Sequence, residues 1–305
     1  MDISVIIVNW NTRDLLLNCI QSVYAHIKRH EFEVWVVDNG STDDSVAAVR
    51  KQYPSVHIIE NHANLGFAAA NNKALRQMTG RYALLLNSDA LLTPGAIEQL
   101  RSFMEEHPQA GMVCGQLLNE DGSRQNSIAN FPTIPAMLMN ETILRILLPQ
   151  KFPSKRRQYR QPIPVDSCIG ACILVRKETI DQIGLLDEAY FFYFEETDWA
   201  YRMHQNNWGV FFVPTAQIYH LQGKSAKYSA NTRIMFYRSR SIFFKKWHPK
   251  THWLMMAAVV LRLLINWSLN LLHMLLTFGR AEKPRQKIAV YSRIILWHLR
   301  GCPHT

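Results

Sequence analysis

Short apolar runs, each ending at a polar turn and followed by a stretch of helical periodicity, leave this chain few ways to fold. Ile3 to Val8 is a continuous apolar run of the kind a buried parallel strand shows; Glu33 to Val37, Val56 to Glu60 and Tyr82 to Leu86 repeat it. Between them, Thr12 to His30 carries Leu15, Leu16, Cys19, Ile20 and Val23 at helical spacing. Asp44 to Tyr53 reads as a helix capped by Ser41 or Thr42, and Pro94 to His107 as another. A Gly turn leads into the Ala-rich helix after Asn64. Repeated units of this kind predict an α/β sheet, mostly parallel, with helices on both faces. Ligands of such sheets bind at the carboxyl ends of the strands, and Asp38 and Asp89 each stand just past one.

Three stretches carry the chemistry. In VVDNGSTDDS (36–45) the Asp38 carboxylate can accept hydrogen bonds from a ribose or a base N–H, while Asn39, Ser41 and Asp43 read equally as turn and cap formers. VNWNT (8–12) ends the first strand, so Val8, Asn9 and Asn11 face the same ligand, although both asparagines also suit a turn. In LLLNSDA (84–90), Asp89 offers the hard oxygen that a divalent cation on a diphosphate needs. Asn87 and Ser88 suit a turn touching the sugar or a water; the plainer reading is a strand-to-helix turn capped by Asp89.

The third stretch, FFYFEETDWAYRMHQNNWGVFFVPTAQIYH (191–220), sets Glu195, Glu196 and Asp198 among aromatics at the start of a helix-like segment. Carboxylates held there are costly unless paired, bound to metal or tuned for proton transfer. Glu195 and Asp198 share a helical face and Glu196 points elsewhere, so the acids divide roles. One takes a proton, and another holds structure or pairs with Arg202. The strand-like run that follows delivers His220, a candidate metal or diphosphate ligand.

Taken in order, VIIVNWNT, VVDNGSTDDS, NLGFAAANN, LLLNSDA, EDGSRQNSIANFP, IGACILVRKETIDQIGLLDEAYFFYFEETDWAYR and WGVFFVPTAQIYHLQGKSA resemble the inverting family 2 glycosyltransferases, above all their bacterial rhamnosyltransferase-like branch. The resemblance spans residues 1–245. It implies a GT-A (Rossmann-like) fold, with a mixed, mostly parallel sheet. By the same resemblance Asp38 binds the nucleotide base, and Val8, Asn9, Asn11, Asn64, Gly66, Asn71, Asn87 and Ser88 line the nucleotide-sugar. Asp89 and His220 hold Mg2+ or Mn2+ on the donor diphosphate. Glu196 stands at the general-base position, with Glu195 and Asp198 beside it in the catalytic cluster. Two departures stand out. The metal turn reads Asn-Ser-Asp rather than Asp-x-Asp, which removes one carboxylate. The base is Glu where Asp is usual, and one extra methylene shifts a reacting carboxylate by about a bond length.

An acceptor hydroxyl is a poor nucleophile, so a carboxylate within reach must take its proton as it attacks. Attack opposite the departing nucleoside diphosphate inverts the anomeric carbon in one displacement. The resemblance favours dTDP-L-rhamnose as donor over a UDP-hexose, and a polyprenyl-diphosphate-linked saccharide of surface polysaccharide such as O antigen as acceptor. Two rival classes are weaker. A nucleotidyltransferase wants a Gly- and Arg/Lys-rich phosphate loop that VNWNTRD does not supply, and a non-catalytic scaffold is the reading that NSD and EETD leave open.

Charge separates the rest of the chain. The 305 residues carry a net +10, yet residues 1–221 hold 19 Lys/Arg against 23 Asp/Glu, and residues 222–305 hold 15 against 1. This divides the chain into a catalytic domain, residues 1–227, and a basic, amphipathic helical region, residues 228–305, that meets an anionic membrane surface. Residues 253–277 are long enough to span a bilayer, but Arg262, Asn266, Asn270 and His273 form one polar stripe. That stripe, with Trp flanks and basic neighbours, favours a helix in the interface, and residues 288–299 a second. A helix packed on the catalytic body has the same pattern. The expected place is the cytoplasmic face of the bacterial inner membrane. Residues 149–164, with five Lys/Arg, four Pro and no acid, read as a basic loop. No nucleic-acid partner is expected, because no zinc-ligand, helix-turn-helix or RNA-binding signature accompanies the basic tail. Cysteines 19, 114, 168, 172 and 302 lack metal-type spacing, which suits a reducing compartment. MDISVIIVNW, with its early Asp and strand-length run, is not a leader pattern.

Overall fold

The computed structural model describes residues 1–139, 141–149, 151–154, 157–221, 230–277 and 282–301; Cys302 and the QGKSA end of the last motif lie outside them. The chain divides into two compact units, Met1–Phe131 with Ser154–Ala226, and Pro132–Pro153 with Lys227–Thr305.

The first unit begins with β1 (Ile3–Asn9), α1 (Arg13–His26), β2 (Phe32–Asp38), α2 (Ser45–Gln52), β3 (His57–Glu60), α3 (Phe67–Leu75) and β4 (Tyr82–Asn87). Then come β5 (Ala90–Leu92), α4 (Ala96–Glu106), β6 (Ala110–Leu118) and β7 (Ile128–Ala129). The chain next supplies α5 (Ile134–Leu138) and α6 (Glu141–Leu147) to the second unit. It returns with β8 (Ile163–Pro164), β9 (Ser167–Cys168), β10 (Cys172–Arg176), α7 (Lys177–Ile183), α8 (Glu195–Gln205) and β11 (Gly209–His220). The second unit closes with α9 (Ala230–Trp247), α10 (His252–Leu276) and α11 (Glu282–Leu299).

The main sheet runs β3-β2-β1-β4-β10-β6-β11-β5, with β8 also on β11. The first four strands are parallel, β10 is antiparallel to both its neighbours, and β6 and β11 are parallel again. The sheet is therefore mixed, with helices on both faces. Successive side chains in β1 divide between two cores: Ile3, Val5 and Ile7 pack with Leu16 and Ile20 of α1, and Ile6 packs with Ala70 and Ala74 of α3. Trp199 and Met203 of α8 lie in the second core. Coverage on both faces is why the strands read as unbroken apolar runs.

Three local readings change. The first helix stops at His26 instead of His30, because Ile27 turns extended and is buried, 3% exposed, in the core. Neither Ser41 nor Thr42 caps α2: the cap position is Asp44, in the left-handed region at φ 61°, without a side-chain bond. The NSD turn leads into β5, antiparallel to β11, so Asp89 does not cap a helix.

In the second unit α10 is, among the described residues, the one helix long and apolar enough to cross a membrane, with mean hydropathy 1.7. Met255, Ala258, Val259 and Leu263 form its buried stripe, while Leu261, Leu264, Ile265, Leu269 and Leu272 are exposed. Trp267 Nε1 donates to Ser292 Oγ at 2.9 Å, tying α10 to α11.

Candidate active site

The carboxyl ends of β1, β2 and β4 lie side by side, with Asn9 in register with Asp38 and Val8 with Asn87. Asp38 is 3% exposed. Its Oδ1 accepts from Asn9 Nδ2 at 3.0 Å, and its Oδ2 accepts from the backbone N–H of Gly40 at 3.1 Å and of Ser41 at 2.8 Å. A carboxylate has about four acceptor directions, so Asp38 keeps one, on Oδ1, for a ligand N–H. Ser41 Oγ accepts from Asn9 Nδ2 at 3.0 Å and from the Asn11 N–H at 2.9 Å, which is the work it does in place of capping α2. Asn11 Oδ1 accepts from the Thr42 N–H at 2.7 Å.

A relay joins this end to the NSD turn. Thr12 Oγ1 donates to Asn9 Oδ1 at 2.7 Å and lies 2.9 Å from Ser88 Oγ. Asp89, the next residue, is 2% exposed, and its Oδ1 is 3.4 Å from His220 Nε2. The backbone N–H of Leu221 donates to the Asp89 carbonyl at 2.9 Å, closing β11 onto the turn. Gln125 fixes the imidazole: its Nε2 donates to the His220 carbonyl, so its Oε1, 2.9 Å from His220 Nδ1, accepts that N–H. In the neutral ring Nε2 then carries a lone pair facing a carboxylate oxygen. Two acceptors aimed at each other call for a proton or a cation between them. The donor set fits a divalent ion that takes its remaining ligands from a diphosphate. Among the described residues no group of three His, Cys, Asp or Glu side chains comes together as a metal cluster.

The motif opening α3 meets the same loops. Asn39 Nδ2 lies 3.2 Å from the Gly66 carbonyl and 3.4 Å from Asn64 Oδ1, which also accepts from the Gly66 N–H at 3.0 Å. Gly66 sits at φ +85°, and a Cβ there would overlap the Phe191 carbonyl and ring. Asn71 donates to the Phe67 carbonyl at 2.9 Å and leaves its Oδ1 buried without a partner.

The acidic cluster separates by role. Asp198 is fully buried, accepts from Arg202 Nε at 3.0 Å and lies 3.4 Å from the Tyr190 hydroxyl. Arg202 also donates to the carbonyls of Ile183 and Leu185 at 2.8 and 2.7 Å. The helix pair weighed from sequence is thus formed, and it locks α8 to the loop before it. Glu195 is 5% exposed with Oε2 unpartnered, and burial, then the charge of Glu196, pushes its carboxyl well above the usual range. Glu196 is half-buried. Burial raises its carboxyl to about 7, against the pull of the Glu196 and Thr197 backbone N–H groups at the start of α8. Its side chain passes over Gly170, where a Cβ would stand 3.8 Å from Glu196 Cγ. Gly170 precedes Ala171, whose carbonyl accepts from the Asn87 N–H at 2.9 Å, so Glu196 borders the NSD turn.

Thr12, Gln125 and Gly170 were not singled out from sequence. Each lies inside a motif, in VNWNT, EDGSRQNSIANFP and IGACILVRK, and that membership was the available signal.

A mixed GT-A sheet with these acids at its carboxyl edge defines the class, and comparison gives the family. The chain belongs to glycosyl transferase family 2, whose family model matches residues 4–184. An N-acetylglucosaminyl-diphospho-decaprenol L-rhamnosyltransferase of Mycobacterium tuberculosis is 28% identical over 259 residues, 78% of this chain and 84% of the relative. A low-salt glycan biosynthesis hexosyltransferase of Haloferax volcanii is 26% identical over 257 residues, 80% of this chain and 77% of that protein. Among solved structures, a mannosyltransferase of Pyrobaculum calidifontis in complex with GDP-Man and Mn2+ superposes with a TM-score of 0.60 at 16% identity, covering 98% of this chain and 86% of that one. That likeness carries the fold.

Proposed function

We propose that this glycosyltransferase moves L-rhamnose from dTDP-L-rhamnose to a hydroxyl of a polyprenyl-diphosphate-linked saccharide, with inversion. The observation that supports the reading is the placement of Asp38 and the Asp89–His220 pair at the carboxyl edge of one sheet, with Glu196 of α8 over Gly170. The lipid-linked acceptor and the sugar follow the name of the mycobacterial relative.

In this reading the free acceptor direction of Asp38 receives an N–H of the thymine base. Asp89 and His220 hold Mg2+ or Mn2+, which when bound offsets the charge growing on the departing diphosphate. Glu196 removes the proton of the acceptor hydroxyl as that oxygen attacks the anomeric carbon. A carboxylate with its proton affinity set near neutrality is ionised often enough to act and basic enough to accept. Burial and the neighbouring Glu196 push the Glu195 carboxyl up, which disfavours a second negative charge beside Glu196. The basic second unit and the exposed apolar face of α10 bring the enzyme to the membrane that holds its acceptor, at the cytoplasmic face of the bacterial inner membrane.

The test is transfer from a panel of dTDP- and UDP-sugars to polyprenyl-diphosphate N-acetylglucosamine, using membranes bearing the protein, with and without chelator. The expected result is chelator-sensitive transfer of rhamnose that falls by about 10²–10⁴ in Glu196→Gln. Full transfer by that variant would mean another base, and transfer only from a UDP-hexose would replace the donor.

A further inference from the structure

The outward face of α10 and an anchor near its middle decide how this helix can meet a membrane. Leu254, Leu261, Ile265 and Leu272 recur at helical spacing on one face and are 40, 51, 51 and 54% exposed. A face this apolar, running along a 25-residue helix, marks a docking surface. The polar stripe does not supply a water-facing side opposite to it. Arg262 donates to the carbonyls of Ala136 and Met137 of α5 at 3.0 and 3.2 Å, and Arg262 and Asn266 line a cavity with Tyr237 and Arg240 of α9. These two polar residues are thus turned toward helices of their own unit, which is also how a membrane-crossing helix places them. By length and composition alone α10 could cross.

The Arg262 anchor opposes crossing. Arg262 is the eleventh of the 25 residues of α10, so in a spanning helix it would stand near mid-depth. It would carry α5 there with it. That helix has five residues, and Thr133 and Met139 on either side of it are extended. Lipid offers no water to backbone groups of this kind. Arg240, whose Nη1 is 3.4 Å from the Met137 sulfur, would be held at the same depth and add a second guanidinium. Lying flat avoids both costs. The leucines then enter the acyl chains, while Arg262 reaches back to α5 at headgroup level.

Charge indicates what covers the face. Residues 222–305 hold 15 Lys/Arg against one acid, and Lys245, Lys250, Arg285, Lys287, Arg293 and Arg300 are exposed. A second copy seated here would bring two strongly basic units together, whereas an anionic lipid surface offsets their charge. We propose that the second unit docks on an anionic bilayer with α10 flat in one leaflet, its outward leucine face among the acyl chains, and that α10 does not cross. This mode of attachment rests on the membrane recruitment proposed above and can fail without it.

The test uses the full chain bound to phosphatidylglycerol vesicles. Leu254→Cys, Leu261→Cys, Ile265→Cys and Leu272→Cys are made one at a time with Cys302→Ser; Cys19, Cys114, Cys168 and Cys172 are buried. Each new thiol carries a nitrobenzoxadiazole label, and lipids brominated at different acyl carbons report its depth by quenching. The outer two positions are about 27 Å apart along the helix axis. A flat helix gives all four labels one shallow depth. Deep labels at Leu261 and Ile265 with shallow ones at Leu254 and Leu272 mean a crossing helix, which overturns the proposal and leaves recruitment standing. Flotation at low salt should show at least tenfold tighter binding to phosphatidylglycerol than to phosphatidylcholine vesicles. Leu261→Glu/Ile265→Glu should lose at least tenfold in binding at unchanged Tm, and Leu261→Met/Ile265→Met should keep it. Equal binding to both lipids, or full binding by the glutamate pair, overturns the proposal. No binding to either vesicle removes recruitment as well, and a dimer in sedimentation that the glutamate pair dissociates would then put a second copy on this face. Glu196→Gln should bind vesicles like the unaltered protein, so attachment and transfer chemistry fail separately.

Discussion

Replacing Glu196 with glutamine should make the protein more stable above neutral pH while removing transfer. The folded protein holds the Glu196 proton up to about pH 7, against 4.5 for a solvated glutamate. The neutral carboxyl therefore favours folding below the lower value, and that advantage is lost as pH rises through the upper one. The gap of about 2.5 units at 1.36 kcal/mol each is about 3 kcal/mol, a ceiling because the half-buried group is partly screened by water. Glutamine keeps the shape and never ionises, so its benefit should be near zero at about pH 3.5, under about 1 kcal/mol at pH 5, and approach a few kcal/mol at pH 8.5. For a unit of this size that corresponds to several degrees in Tm. Thermal unfolding of both proteins at several pH values measures the gap, and the unaltered enzyme's kcat/KM should rise with pH through about 7. A gap that does not widen with pH, or a less stable variant at pH 8.5, would refute the idea that burial sets this carboxyl.

Further outcomes follow from the same geometry. Arg202→Met leaves the buried Asp198 carboxylate without its guanidinium and should cost about 3–5 kcal/mol in denaturant unfolding, and a near-neutral result would mean that the pair does not hold α8. Gly66→Ala forces an unfavourable φ and meets the Phe191 carbonyl, so about 2 kcal/mol or more should be lost together with donor affinity; unchanged unfolding would show that the loops can give way. Gln125→Ala frees the His220 ring, and Mn2+ titration by paramagnetic resonance should show roughly 10- to 100-fold weaker binding. His220→Ala should weaken it at least as much, and metal binding untouched by both would remove the pair from the donor site.

Much of the fold was legible because both faces of the sheet are covered, which forces unbroken apolar strands with their acids at one end. Asp38 and Asp89 could be placed at the ligand edge on that ground alone. The order of the second half was not legible. CILVR of β10 is a short apolar run with nothing to show that it enters the sheet antiparallel between β4 and β6, since that depends on partners more than 50 residues away. The three-residue β5 was hidden inside a turn motif. Ser41 looked like a helix cap because its residue type suits one, and the structure spends it on Asn9 and Asn11. Glu195 and Glu196 were distinguishable only by direction along a helix; the burial that sets their proton affinities is a property of the assembled core.

One strand end has a mechanical meaning. His220 is the last residue of β11, and the chain leaves the first unit just beyond it. Leu221 is hooked to the Asp89 backbone, and Gln125 grips both the carbonyl and the ring of His220. Any displacement of the strand end must therefore break these bonds before it can turn the imidazole, so the ring's orientation is held from both sides.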